Sequence, residues 1–363
     1  MKRLKVAFLF NVRHHFPDPN DLRNQREADY DDPQTIDAMQ SHLSECGFSV
    51  LPIEADENAY AQLRENRGTI DIAFNYSEGL NGLDRECHIP AILEMLQIPY
   101  TGSPPLTQAL VLNKGLTKDV LRSHGLPVVP HRIYHEKAEI CDPGLLFPLI
   151  VKPLSQGSSA GITNRSIVRT LSELCDQTGR VLESLGPPVI VEPFLEGREF
   201  SIAMLGNPPK ALPPIEPDHS KLPEGYERID SLEVKWIFEE SSEMSNYLLC
   251  PALMDDEHWS VIEGACHMTW HALGIRDLCR IDLRCDAHGK PYVIEVNSPP
   301  GLLPPEVSAT SYFPLAARSA GISYNDLLGT IVETACQRAF ASRATKSNML
   351  TYTSQDTSKV RAK

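Results

Sequence analysis

Arg280-Ile281-Asp282 is followed by the turn Asp286-Ala287-His288-Gly289-Lys290-Pro291 and then by Val293-Ile294-Glu295-Val296-Asn297. The turn residues predict a β-hairpin. Strand side chains alternate between faces. Arg280 and Asp282 therefore share one face of the first strand, and Glu295 and Asn297 share one face of the second. Cys279, Ile281 and Leu283 take the opposite face, and Val293, Ile294 and Val296 read as core. Where the polar faces coincide, Asp282, Glu295 and Asn297 supply three hard oxygen donors with no His or Cys among them. That set suits Mg²⁺, which takes few protein carboxylates and completes its shell with phosphate and water. Arg280 beside it can hold an anion. For any single residue, a solvated hairpin face with an Arg–Asp pair of little worth is the better reading. The whole set, followed by Pro299-Pro300-Gly301, favours a site.

Two upstream stretches add to it. Val151-Lys152 ends a strand and leads into Pro153-Leu154-Ser155-Gln156-Gly157-Ser158-Ser159-Ala160-Gly161. A Gly/Ser loop lets backbone N–H groups approach phosphate oxygens, while Lys152 supplies charge. The spacing is not that of a P-loop. Taken alone, such a loop is most often a mobile turn. The stretch from Val189 through Glu192, Phe194 and Glu199 is an apolar strand running into an acidic connector. A strand edge with free backbone groups can take an adenine edge, and carboxylates can take ribose hydroxyls. In isolation, an ordinary interdomain connector is the preferred reading of this stretch.

The surrounding elements must position these groups. Strands are expected at Leu4–Phe10, Phe48–Ile53 and Ile70–Asn75. Between the first two lies a helix that opens at Asp32-Pro33, carries Ile36, Met39 and Leu43 on one face and closes at Gly47. A second amphipathic helix runs from Ile89 to Leu96. This alternation predicts an α/β fold with a Rossmann-like parallel sheet at the N-terminus. A further helical stretch from Ser103-Pro104 to Gly125-Leu126-Pro127 carries a break at Asn113-Lys114-Gly115. After it, strands at 149–152, 189–192, 199–205, 278–284 and 292–297 predict a mixed or antiparallel α+β region. A closing helix spans Asn325 to Phe340, and a polar, aperiodic tail follows. The expected units are residues 1–110, 111–192 and 193–341, with 342–363 a disordered tail.

Composition narrows the function. The net charge of −14 argues against a nucleic-acid binder, whose footprint is basic. No apolar run is long enough to span a membrane. The start, MKRLKVAFLFNVRHH, reads as a strand rather than a leader, because its apolar core is short and no small-residue cleavage site follows. Nine Cys without a CxxC pair fit reduced thiols, and so a cytoplasmic setting.

Taken in order, Lys114, Lys152 with its GSS loop, Glu192 to Glu199, Lys235, Arg280–Asp282 and EVNSPPG resemble the ATP-grasp ligases, and within them the D-alanine–D-alanine ligase family. Ile98-Pro99-Tyr100-Thr101-Gly102-Ser103 and Ser311-Tyr312-Phe313-Pro314 resemble that family too. The resemblance covers roughly residues 70 to 340. It implies a three-domain ATP-grasp fold with the nucleotide between the central and C-terminal domains. By carry-over, Lys114 and Lys152 meet the phosphates, and Gly157, Ser158 and Ser159 lie in the loop over them. Glu192 and Phe194 belong to the adenine hinge, and Glu199 meets the ribose. Lys235 reaches the γ-phosphate. Asp282, Glu295 and Asn297 hold Mg²⁺, usually two ions, with Mn²⁺ as a substitute. Arg280 and the Gly301 N–H stabilise an oxyanion, Ser158 begins a hydrogen-bond relay, and Ser311 with Tyr312 receives the second substrate. The implied activity joins two small-molecule amino acids through an acyl phosphate. The resemblance also allows a homodimer.

Four departures concern the substrates. The family's first Gly-Gly loop is replaced by Asn11 to Asp32, where Glu27, Asp29 and Asp31 are candidates for the first substrate's amine. The His expected after the third strand is replaced by Asn75. The Tyr that commonly follows the lid Lys is Trp236, within an expected lid from Ser231 to Tyr247. An insertion, Leu302–Thr310, brings in Glu306 as a rival to Ser311. D-Ala–D-Ala ligation and ligation of other amino acids are both consistent with this pattern. A catalytically weak ATP-binding regulatory protein is the rival from another class; Lys235, Arg280 and the metal set argue against it.

Overall fold

The computed structural model describes residues 3–18, 21–25, 27–137, 143–235 and 247–341. Trp236, most of the expected lid and the tail from 342 onward lie outside those residues.

Strand β1 (Lys5–Phe10) lies between β2 (Ser49–Glu54) and β3 (Ile72–Asn75), and all three are parallel. A parallel sheet is covered on both faces, and β1 shows this by alternation. Val6, Phe8 and Phe10 join Ile36, Met39 and Leu43 of α1 (Pro33–Glu45). Ala7 and Leu9 join Leu63 of α2 (Ala59–Asn66) with Ile89 and Leu93 of α3 (His88–Leu96). Helix α1 begins where the sequence predicts: the Asp32 carboxylate accepts from the Thr35 N–H at 2.8 Å, and Pro33 follows it.

Helices α4 (Pro105–Leu112) and α5 (Lys114–Ser123) are separated at Asn113, whose side chain accepts from the Leu116 N–H and so caps α5. Lys114 and Lys118, one turn apart, are both on the buried side of α5. Strands β4 (Arg132–Tyr134), β5 (Leu149–Pro153), β6 (Ile167–Val168) and β7 (Val189–Pro193) form an antiparallel sheet in the order β4-β7-β5-β6. Helix α6 (Leu171–Leu185) covers one face through Leu174 and Val181.

Strands β8 (Glu199–Leu205) and β9 (Lys210–Ala211) precede a small pair, β10 (Glu216–Pro217) and β11 (Leu248–Leu249). After α7 (Asp256–Leu273), β12 (Leu278–Cys285) and β13 (Pro291–Asn297) complete a third, antiparallel sheet in the order β13-β12-β8-β9. Ile262, Cys266 and Trp270 of α7 pack on Ile281 and Leu283, together with Val111 of α4 and Leu121 of α5. The chain then returns: Phe313 of α8 (Tyr312–Ser319) and Leu327 and Ile331 of α9 (residues 324–341) pack with Phe8 and Phe74. The fold class is α/β, with a parallel first sheet and antiparallel sheets in the later half.

Candidate active site

The hairpin register places Asp282 opposite Glu295 and Arg280 opposite Asn297. Cys279, Ile281 and Leu283 are buried on the opposite face, as alternation requires. One expectation is corrected here. The pairing skips from Glu295 to Val293, so Ile294 is the extra residue of a β-bulge and is not core. The bulge resets the phase, sending Val293 and Val296 inward while Glu295 and Asn297 face the site. The freed Ile294 carbonyl accepts from Lys118 Nζ at 3.0 Å.

Asp282 is 7% exposed and accepts hydrogen bonds on both carboxylate oxygens. Arg280 Nε donates to Oδ1 and Nη2 to Oδ2, each at 2.9 Å, and Ser201 Oγ donates to Oδ1 at 2.6 Å. Asn297 Nδ2 donates to Oδ2 at 2.9 Å, leaving Oδ1 as its available acceptor. Glu295 pairs with Lys114 at 2.7 Å. Burial would raise its carboxyl, but Lys114 outweighs that and holds it at about 2. Among the described residues no cluster of three or more His, Cys, Asp or Glu side chains could hold a metal. Asp282, Glu295 and Asn297 form an all-oxygen set of two carboxylates and one amide, whose chemistry fits a hard cation.

Glu192, 1% exposed, sits between Lys118 and Lys152, each 2.9 Å away. Its burial is overcome by the two ammonium groups, which keep its carboxyl near about 2. Lys118 is itself pushed down by desolvation. Sequence reasoning missed Lys118, although the i, i+4 spacing from Lys114 on an amphipathic helix could have found it. Glu199 pairs with Arg284 at 2.5 Å, and the Arg284 guanidinium lies 4.6 Å from the centre of the Phe194 ring. Arg284 continues the 280–282 face, so its position was also legible by period two.

The loop after β5 is held from outside. Gly157 N–H donates to Asp29 Oδ2 at 3.3 Å, and Gly161 N–H to Gln25 Oε1 at 2.8 Å. Lys114 Nζ donates to the Gln156 carbonyl at 2.5 Å, and Ser159 Oγ to the Asp230 carbonyl at 2.7 Å. A Cβ at position 157 would come within 2.6 Å of Asp29 Oδ1, which explains its glycine. Ser158 and Ser159 adopt φ of 45° and 58°, a left-handed conformation that side chains disfavour.

Two cavities meet here. The smaller, about 80 Å³, is lined by Lys114, Lys152, Ser159, Glu192, Phe194, Glu199 and Asp282. The larger, about 450 Å³, is lined by Gly157, Ser158, Asn297, Gly301 and Ser311. Lys235, Arg280, Glu295 and Tyr312 line both. Every residue that the sequence assigned to the nucleotide, the metal, the oxyanion or the second substrate thus borders one cavity or the other; of the three candidates for the first substrate's amine, Asp29 and Asp31 line the larger cavity and Glu27 lines neither. Arg280 and Lys235 lie 5.3 and 6.0 Å from the centre of the Tyr312 ring. Tyr312 donates to Asp230 Oδ2 at 2.5 Å, and Tyr247 donates to Asp230 Oδ1 at 2.7 Å. Burial opposes ionisation of Asp230, yet His219, Lys235 and Tyr312 hold its carboxyl well below the usual range. No sequence pattern pointed to Asp230.

Two of the departures lie at or beside the larger cavity, which Glu306 and Ser311 both line. Asn75 does not face it: the Asn75 side chain accepts from Ser77 Oγ at 2.7 Å within a buried network, and Tyr76 and Glu78 line the cavity instead. Glu306 pairs with His42 at 2.7 Å, while Ser311 Oγ accepts from the Leu303 N–H at 3.2 Å. Asp29 pairs with Arg85 at 2.9 Å, and Glu27 accepts from the His14 and His15 N–H groups. Glu78 and Glu86, absent from the expected site, also line this cavity. Burial raises the carboxyls of Asp31 to about 7 and Glu86 to about 8, and that of Glu78 well above its usual value.

A cleft between antiparallel sheets, rimmed by lysines and an all-oxygen carboxylate set, is the arrangement of the ATP-grasp class of ligase folds. Comparison with solved structures agrees. The D-alanine–D-alanine ligase from Bacillus anthracis complexed with ATP has a TM-score of 0.69 at 23% identity, covering 93% of this chain and 99% of that one. The D-alanine–D-alanine ligase from Coxiella burnetii has a TM-score of 0.68 at 18% identity, covering 97% and 99%. Residues 120–333 match the family described as D-ala D-ala ligase C-terminus. A D-alanine–D-alanine ligase of Pelotomaculum thermopropionicum is 32% identical over 317 residues, 84% of this chain and 92% of that protein. The uncharacterized protein y4sG of Sinorhizobium fredii is 32% identical over 311 residues, 84% and 88%. The chain belongs to the D-alanine–D-alanine ligase family and is an ATP-dependent ligase of the ATP-grasp class. No helix among the described residues is long and apolar enough to cross a membrane.

Proposed function

We propose that this chain joins the carboxylate of one small amino acid to the amine of another, consuming ATP and releasing ADP and phosphate. The observation that carries this reading is the junction of the two cavities at Lys235, Arg280, Glu295 and Tyr312. A group on a nucleotide in the smaller cavity and a carboxylate in the larger one meet among two cations.

In this reading Lys114 and Lys152 take the nucleotide phosphates, and the 157–161 loop closes over them with its N–H groups. The strand edge at Glu192–Phe194 takes the base, and Glu199 the ribose. The Glu192 carboxylate, held between Lys118 and Lys152, positions those lysines. Asp282, Glu295 and Asn297 hold Mg²⁺, which when bound neutralises charge on the phosphates. Lys235 holds the phosphoryl group while the substrate carboxylate oxygen attacks it in line and the bond to ADP breaks. The amine of the second substrate then attacks the acyl carbon. Arg280, fixed by Asp282 and the Tyr312 ring, and the Gly301 N–H donate to the tetrahedral oxyanion. Phosphate leaves, the amine loses its proton, and an amide remains. Ser311 and Tyr312 orient the second substrate.

The test is ADP and phosphate release with Mg²⁺ and ATP, with mass detection of products, across D- and L-amino acids singly and in pairs. Amide formation with equal release of ADP is expected. ATP binding without release under any pair would overturn the reading in favour of a regulatory ATP-binding protein.

A further inference from the structure

The ligase chemistry leaves one set of charges unused. Glu86, on the short 3-10 turn Arg85–Cys87, is 9% exposed and lines the larger cavity. Its carboxylate makes no hydrogen bond and no ion pair among the described residues. Glu78 lines the same cavity, and its one hydrogen bond is made by its backbone N–H, to Asn11 Oδ1 at 2.9 Å. Asp31 completes the wall and accepts from the Tyr76 hydroxyl. The other acids around this cavity are satisfied: Asp29 by Arg85 at 2.9 Å, Asp32 by Arg13 at 3.4 Å, Glu306 by His42 at 2.7 Å. The nearby cations Arg85, Lys114 and Arg13 act on this wall through space but make their ion pairs with other acids. Arg85 also donates to the Ser155 carbonyl at 2.9 Å, and Lys114 holds Glu295.

Glu78 therefore shares one wall of the cavity with Glu86 and Asp31, and the three can ionise together only at a cost. Such a wall is unfavourable unless something positive completes it. A single α-ammonium brings one charge and can be held by one carboxylate with help from a second. Three carboxylates ask for more. We propose that the substrate lying against this wall is a diamino acid, whose side-chain ammonium is held by Glu78 and Glu86 while Asp31 faces the α-ammonium. This rests on the ligase reading for the words "substrate" and "amino acid"; the cation site itself does not.

The test is calorimetry of the full chain with Mg²⁺ and a non-hydrolysable ATP analogue. Each diamino acid is paired with a neutral isostere, 2,4-diaminobutyrate with norvaline and ornithine with norleucine, in both enantiomers. At least one diamino acid is expected to bind about 10-fold or more tightly than its isostere, as a desolvated charge-assisted contact should. Glu78→Gln and Glu86→Gln should each erase most of that preference, with thermal melts reporting whether the variants fold. Equal affinity within every pair, or no binding of any diamino acid, would overturn the inference, and the wild-type comparison alone suffices for that. ADP release measured in parallel separates the two readings. Turnover with neutral pairs and no diamino preference keeps the ligase and removes the inference. Preferential binding without any turnover supports the cation site and counts against the ligase.

Discussion

The two cavities use the same kinds of residue in opposite ways. Around the smaller one these carboxylates each meet a cation: Glu192 meets Lys118 and Lys152, Glu295 meets Lys114, Glu199 meets Arg284, and Asp282 meets Arg280 two residues away on its own strand. Around the larger one Asp31, Glu78 and Glu86 share one wall. Pairing holds Glu192 and Glu295 at about 2, whereas burial lifts Asp31 to about 7 and Glu86 to about 8. The nucleotide side is thus electrostatically complete in the free protein, and the substrate side is completed by what it binds. The two sides are joined by Asp29, which holds Arg85 with one carboxylate oxygen and receives the Gly157 N–H on the same atom.

The contrast is broken most directly at Glu192. Glu192→Leu leaves Lys118 and Lys152 buried without their anion, and the loss of one partner from a buried pair costs about 3–5 kcal/mol. Urea unfolding should show that loss; a variant as stable as the parent would mean the lysines find water. Asp282→Asn is expected next in size. It frees Arg280 and weakens the oxygen set, so turnover should fall about 10²–10³-fold with the fold retained, comparable to removing one preorganised charge-stabilising group. Full activity would remove both the metal assignment and the positioning of Arg280. Lys152→Ala should act more mildly, because Lys118 still holds Glu192. ATP affinity measured by calorimetry should weaken about 10-fold, the scale of one charge-assisted contact. Unchanged affinity would mean that Lys152 serves Glu192 alone.

What could be read from sequence follows the reach of local physics. Alternation on β12 placed Arg280 and Asp282 together, and the Asp32-Pro33 cap fixed the start of α1, because both depend only on neighbours in the chain. The bulge at Ile294 was not legible, since it depends on how β13 pairs with β12, and it decides that Glu295 faces the site. The direction of Asn75 was not legible for the same reason: the strand ends there, and the next residues turn Tyr76 and Glu78 toward the cavity. Asp230 and the Glu86 wall were invisible because they arise only where segments far apart in sequence converge. Lys118 and Arg284 lie within reach of helix and strand periodicity, one turn from Lys114 and two residues from Asp282.

The smallest predicted effect, and the one that separates the two sides most cleanly, is the pH dependence of stability. A carboxyl held below its ordinary value stabilises the fold above its unfolded pKa, and that contribution disappears as pH falls through the folded value. Glu192 and Glu295 therefore act between about 4.5 and about 2. A carboxyl raised by folding does the reverse. Its folded state retains the proton, so its contribution is complete below the unfolded pKa and is lost as pH rises through the folded value. For Asp31 that window runs from 3.8 to about 7, and for Glu86 from 4.5 to about 8. The melting temperature of the unliganded protein should accordingly be highest near the overlap of the two ranges, around pH 4 to 5, and decline toward pH 8. Asp31→Asn and Glu86→Gln remove an ionisation that the fold opposes. Each should flatten the decline and raise the melting temperature at pH 8 by about 2–4 °C, the shift that roughly 1 kcal/mol gives in a chain of a few hundred residues. Glu192→Leu should lower the whole curve. A wild-type curve flat between pH 6 and 8 would mean that water or a neighbouring cation already relieves the acidic wall.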